Sequence, residues 1–109
     1  MEAGKLDRRV QFRRFTPSDD GFATVESWAD HGPPVWAERR FVSDREQVAA
    51  AQVAARITAR FLVRWSDLTG AITPKDRLIC EGREYDITGV KEIGRHEGVE
   101  ITAAARADR

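Results

Sequence analysis

The sequence predicts a mainly β fold, a small antiparallel β-barrel or sandwich with one short helix inserted between strands. Two observations carry that expectation. Apolar and polar residues alternate over residues 56–65, the period of a half-buried strand. Shorter apolar runs recur along the chain between Gly, Pro and Asp, and nothing alternates with them in the βαβ manner of a parallel sheet. The 109 residues suffice for a single domain with one modest core. At that size a barrel is favoured, because closure removes exposed sheet edges.

Residues 6–15 read as the first strand, with Val10 and Phe12 on one face and Arg9, Gln11 and Arg13 on the other. Residues 16–21 (Thr-Pro-Ser-Asp-Asp-Gly) are turn chemistry. Residues 22–28 allow a short second strand, and residues 30–34 break it. Residues 35–42 form the next strand, with Val35, Ala37 and Phe41 on one face, Trp36 on the other, and Arg39 and Arg40 near the end. Ser43 then suits a helix N-cap, and Glu46 three residues on completes a capping box. Residues 44–55, rich in Ala, Gln, Glu and Arg, predict about three turns of helix. Val48, Ala51 and Ala55 are its core candidates.

Residues 56–65 place Ile57, Ala59, Phe61, Val63 and Trp65 inward. They place Arg56, Thr58, Arg60, Leu62 and Arg64 outward. Residues 68–75 contain Gly70 and Pro74 and read as a loop. Residues 77–81 and 84–90 form a hairpin about a tight turn at Gly82-Arg83. Residues 94–98 are a further turn and residues 99–104 the last strand, followed by a frayed end.

Several function classes lose support. Lys and Arg number 18 and so do Asp and Glu, so the basic excess of a dedicated nucleic-acid binder is missing. Cys80 is the single cysteine, which precludes an intrachain disulfide and fits a cytoplasmic protein. No long apolar stretch follows the first residues, so neither a secretory leader nor a membrane span is expected. His31 and His96 fall in loops without a second ligand at metal spacing. Cys80 sits in the apolar run Leu78-Ile79-Cys80 and reads as a buried hydrophobe. The glycines at 82, 89, 94 and 98 lack a dinucleotide-binding spacing, and no carboxylate couple stands out. Neither an enzyme nor a cofactor is expected.

Three features are candidates for function. Arg56, Arg60 and Arg64 stripe one face of the strongest strand. They suit an acidic partner subunit or DNA, against a solvated face answered by neighbouring Glu residues. Residues 43–55 suit a docking element at a subunit interface, with Ser43, Glu46 and Gln47 as contacts, or a plain connection. Trp65 is expected in the core. Trp28 and Trp36 flank a loop and are open to core or interface roles. None of the three shares a predicted face with the arginines, which counts against base stacking.

The order of these elements carries a resemblance. It runs from Arg8-Arg9-Val10-Gln11-Phe12 through Asp20-Gly21, Trp28, Val35-Trp36-Ala37-Glu38 and the Ser43/Glu46 segment with Ala49 to Gln52. It continues through Thr58-Ala59-Arg60-Phe61-Leu62-Val63-Arg64-Trp65 and Asp76-Arg77-Leu78 to Gly82-Arg83-Glu84-Tyr85-Asp86-Ile87-Thr88-Gly89-Val90. In this the chain resembles the phage head–tail joining (head closure, or stopper) family over nearly its whole length. The resemblance implies a non-enzymatic β-barrel subunit of a homo-oligomeric ring, six-fold or twelve-fold. It implies a portal/adaptor protein above, a tail terminator or tail tube protein below, and packaged double-stranded DNA in the channel. It implies no cofactor and no membrane, and a place in the neck of a virion or phage-like particle made in the bacterial cytoplasm. It carries no catalytic residues. Residues 43–55 or 68–74 are then expected to face the channel or a neighbour. The Ala and Arg content fits a GC-rich host, so a prophage or gene transfer agent is as compatible as a free phage. A free-standing nucleic-acid-binding barrel is the alternative.

Overall fold

The computed structural model describes residues 3–16, 18, 19, 24, 25, 27–42 and 56–106. Among the described residues, nine strands run in the order β1 (Arg8–Phe15), β2 (Ser18–Asp19), β3 (Thr24–Val25), β4 (Trp28–Asp30), β5 (Val35–Phe41), β6 (Arg56–Arg64), β7 (Arg77–Cys80), β8 (Arg83–Ile93) and β9 (Gly98–Arg106). A one-turn helix, α1 (Asp67–Gly70), precedes β7, and a 3-10 turn (Ala3–Lys5) precedes β1. Every pairing is antiparallel. The order β1-β5-β6-β9-β8-β7 closes on itself because β7 returns to β1, with Val10 opposite Cys80 and Phe12 opposite Leu78. The fold is therefore the barrel and not the sandwich.

The alternation in β6 decides which side of the wall is inside. Ala59, Phe61 and Val63 are fully buried, as are Val10 and Phe12 of β1, Ala37 of β5, Leu78 of β7 and Ile101 and Ala103 of β9. Phe61 meets Tyr85 of β8 edge to face at 5.2 Å between ring centres, an arrangement that aligns one ring's positive edge with the other's negative face. Cys80 lies in this cluster, and burial pushes its thiol pKa up. It is packed as a small hydrophobe.

β1 is shared among three partners. Its first half pairs with β5 (Arg8 opposite Ala37) and its last residues with β4 (Arg13 opposite Asp30). Five steps along β1 thus answer seven on the opposite arm, and His31 to Pro34 take up the slack. The His31 N–H still donates to the Phe12 carbonyl at 2.8 Å, so the break stays attached to the wall.

Several boundaries differ from the sequence expectation. The second strand, expected over residues 22–28, is two short pieces, β3 and β4. The hairpin turn sits at Glu81-Gly82 and not at Gly82-Arg83. Both residues have positive φ, 52° and 78°, as the two-residue turn matching strand twist requires. Gly82 therefore takes the second turn position, and β8 begins at Arg83. The stretch expected as loop over residues 68–75 opens with α1. Phe41 was expected on the buried face with Val35 and Ala37, but at the end of β5 it is 55% exposed. The helix expected over residues 44–55 lies outside the described residues.

Candidate assembly surface

Sequence reasoning placed Arg56, Arg60 and Arg64 on one face of β6, and Arg60 and Arg64 do stand exposed on the outer wall. Arg56 begins the strand, with Arg106 opposite it, and its side chain is outside the description. Ser43, Glu46 and Gln47 also lie outside the described residues. Arg60 lies between Arg40 of β5 and Thr102 of β9. Arg40 is answered by Glu38, 3.3 Å away. The row beside it runs Glu38, Leu62, Glu100. Acidic and basic residues thus alternate across the outer wall beside Arg60.

The third row differs. Trp36 is 51% exposed and lines an outer groove with Leu6, Asp7 and Arg64. The Arg9 guanidinium lies 4.5 Å from the centre of the Trp36 ring. The expectation that no aromatic shares a face with the arginines is corrected here. Trp36 was read as facing away from the core, but its strand neighbours were unknown. Pairing of Arg9 with Trp36, and of β5 with β6, brings the three together.

The two barrel rims are built differently. At one rim, where β1 and β8 begin and β5 and β7 end, Glu81 accepts from Arg39 at 3.0 Å and lies 3.1 Å from Arg8. The Arg39 hydrogen bond and charge hold the Glu81 carboxyl below its ordinary range. A small cavity lined by Arg39, Phe41, Cys80, Glu81, Arg83 and Tyr85 opens there. This cluster was missed from sequence because it joins three strands through one turn residue.

At the opposite rim the buried carboxylate of Asp76 accepts from Arg14 Nε at 2.9 Å, Arg14 Nη2 at 3.0 Å and the Thr73 N–H at 3.0 Å. Burial by itself would raise this carboxyl, but the guanidinium and the backbone donor outweigh it and hold the pKa below the usual carboxylate value. α1 packs nearby through a reciprocal cap. Thr69 N–H donates to Ser66 Oγ at 3.1 Å and Ser66 N–H to Thr69 Oγ1 at 2.8 Å, and Thr69 Oγ1 donates to the Arg64 carbonyl at 2.7 Å. Trp65, half-buried against the core, carries His96 stacked on its ring at 3.9 Å. Trp28 packs edge-on to Phe15 and under the Arg77 guanidinium, 4.1 Å from its ring centre.

Among the described residues no three His, Cys, Asp or Glu side chains gather as a metal site, and no helix is long and apolar enough to cross a membrane. What this geometry provides is a closed barrel whose charged and aromatic features lie on walls and rims.

Comparison with known proteins shows the family. The family model described as phage head completion protein matches residues 1–106. The chain belongs to the phage head completion protein family. That family consists of structural phage head proteins. The head completion protein gp7 of Enterobacteria phage HK97 is 39% identical over 66 residues, a match covering 60% of this chain and 58% of that protein. The chain thus spans less than two thirds of that relative. Two solved structures share the fold of this head completion family member. One is the solution structure of protein SF1141 from Shigella flexneri 2a, with a TM-score of 0.75 and 22% identity over all of both chains. The other is a chain of the virion of a native gene transfer agent particle, with a TM-score of 0.65 and 20% identity, covering 93% of this chain and 94% of that one.

Proposed function

We propose that this chain is a head-closure subunit. In this reading it forms a ring at the neck of a phage or gene transfer agent particle, between the portal/adaptor and the tail, retaining packaged DNA and offering the tail its platform. The family match over residues 1–106 carries this reading. The closed barrel supports it, since a subunit with its strands already paired can add to a particle through its side chains alone. The exposed Arg60 and Arg64, with Arg56 on the same strand, supply cations for an acidic neighbour or for channel DNA. Ser43, Glu46 and Gln47, between β5 and β6, are proposed contacts of the same assembly. The ring is six-fold or twelve-fold, and its neighbours are the portal/adaptor and the tail terminator or tail tube protein.

The test is mass by light scattering, first of the chain alone and then with purified portal–adaptor complex. Addition of a fixed number of copies is the expected result. Reversing the charge of Arg56, Arg60 and Arg64 together is expected to lower DNA retention or ring joining. A chain that ignores the complex, yet binds duplex DNA with a steep salt dependence, would overturn the reading in favour of a free-standing nucleic-acid-binding barrel.

A further inference from the structure

We propose that the cavity at the Glu81 rim is a carboxylate-binding site, taking an ionised carboxyl group on a short apolar stem. Binding there is a property of the single chain and does not depend on the ring reading above. The cavity has a volume of about 180 Å³, equal to roughly six water-sized volumes. It admits one small group and not a folded surface.

Its side chains are rich in donors and poor in acceptors. Arg39 lies two residues beyond the buried Ala37 on β5, and its side chain is 14% exposed. It donates to Glu81 at 3.0 Å and to the Cys80 sulfur at 4.0 Å. Among the described residues Glu81 is the only carboxylate lining the cavity, and it already serves both Arg39 and Arg8. Arg83 has no ion-pair partner among the described residues. Tyr85 is 1% exposed and lines the same cavity, and its hydroxyl has no hydrogen-bond partner among the described residues. Arg83 and Tyr85 are two apart on β8, so they stand on one face of the strand.

The Tyr85 hydroxyl points to a ligand. A buried polar group without a partner costs stability, and a phenylalanine would keep the edge-to-face contact with Phe61 without that cost. An acceptor arriving from outside accounts for the hydroxyl. Charge makes that acceptor an anion, since the guanidinium groups of Arg8, Arg39 and Arg83 meet one carboxylate. The Phe41 ring, 4.7 Å from the Arg39 guanidinium, supplies an apolar wall for a stem. A carboxyl group ends its chain and offers two acceptor oxygens, one for Tyr85 and one for Arg83. A phosphodiester continues on both sides into a nucleic-acid backbone, which a cavity of this size does not hold. The carboxyl group has two sources, an acidic side chain of another protein or a free short carboxylic acid.

The test is an NMR titration of the isotope-labelled full-length chain with sodium propionate at fixed ionic strength. Saturable shifts of the Gly82, Arg83 and Tyr85 amide signals are expected, and none from propionamide, the neutral isostere. Tyr85→Phe and Arg83→Gln are each expected to weaken propionate binding about tenfold, the scale of one charge-assisted hydrogen bond. Tyr85→Phe is expected to melt at the wild-type temperature, which separates a lost ligand contact from a lost fold. Propionate that moves none of these signals would overturn the proposal. So would propionate that binds Tyr85→Phe as tightly as the wild type, or propionamide that binds as tightly as propionate. With propionate bound as expected, the same shifts from a blocked Ala-Glu-Ala peptide would assign the site to a partner's side chain. Propionate binding without peptide binding would assign it to a free acid. A short DNA duplex that moves these signals and displaces propionate would overturn the carboxylate assignment in favour of phosphate.

Discussion

Asp76 is the side chain on which the second rim turns. It is 3% exposed and holds Arg14 of β1 to the loop before β7. Asp76→Ala leaves the guanidinium and the Thr73 N–H without their acceptor. A loss of about 2 kcal/mol in urea unfolding is expected, the scale of a lost hydrogen bond to a charged group. The pH dependence has a defined sign. The folded-state pKa is lowered, so the unfolded chain binds the proton more readily. The stabilisation is present above the ordinary carboxylate value of about 4 and is lost as pH falls through the folded-state value. Asp76→Asn should flatten the acid limb of stability against pH, and an unchanged limb would contradict this role. Gly82 makes a separate demand. With φ at 78° and open space where a Cβ would go, its substitution strains only the backbone. Gly82→Ala is expected to cost about 1 kcal/mol in the same assay.

Among the elements, α1 depends on one hydroxyl. Thr69 is buried, accepts from the Ser66 N–H and donates to the Arg64 carbonyl. Thr69→Val keeps the volume, removes both bonds and should lower stability by about 2 kcal/mol, with α1 and Trp65 losing amide-exchange protection first. This turn was hard to find from sequence. The Ser66–Thr69 spacing is that of a capping box, but Thr replaces the usual Glu or Gln, and Gly70 four residues on looks like a breaker. β6 was legible over its whole length, because a strand with one face in the core must alternate. Its groove was not. Which residues flank Trp36 depends on strand register, a long-range property that local pattern does not encode. The same limit explains Phe41, whose exposure at the end of β5 depends on what packs over it. Single sites such as Cys80 were legible because burial is the ordinary fate of an unpaired cysteine within an apolar strand.

For the molecule as a whole, the largest buried side chains belong to one core cluster. Phe61, Tyr85, Phe12, Leu78 and Ile101 are buried to within 1% and come from five of the six barrel strands. Phe61→Ala opens a cavity against Tyr85 and should cost about 3–5 kcal/mol, a large share of the roughly 5–15 kcal/mol typical of a small domain. Cooperative loss of the far-ultraviolet β signal at a much lower urea concentration would be the expected reading. A melt close to that of the wild type would show that the interior can collapse around the gap.

Closure of β7 onto β1 also bears on how quickly such a subunit could join a particle. Within the closed barrel no backbone pairing has to be broken before docking, and none has to be completed afterwards. Encounter would then be that of two preformed bodies, with association at an ordinary rate of about 10⁵–10⁷ M⁻¹s⁻¹ and no slow unimolecular phase from barrel rearrangement. Stopped-flow mixing with portal–adaptor complex would show that as a rate rising linearly with concentration, without a plateau.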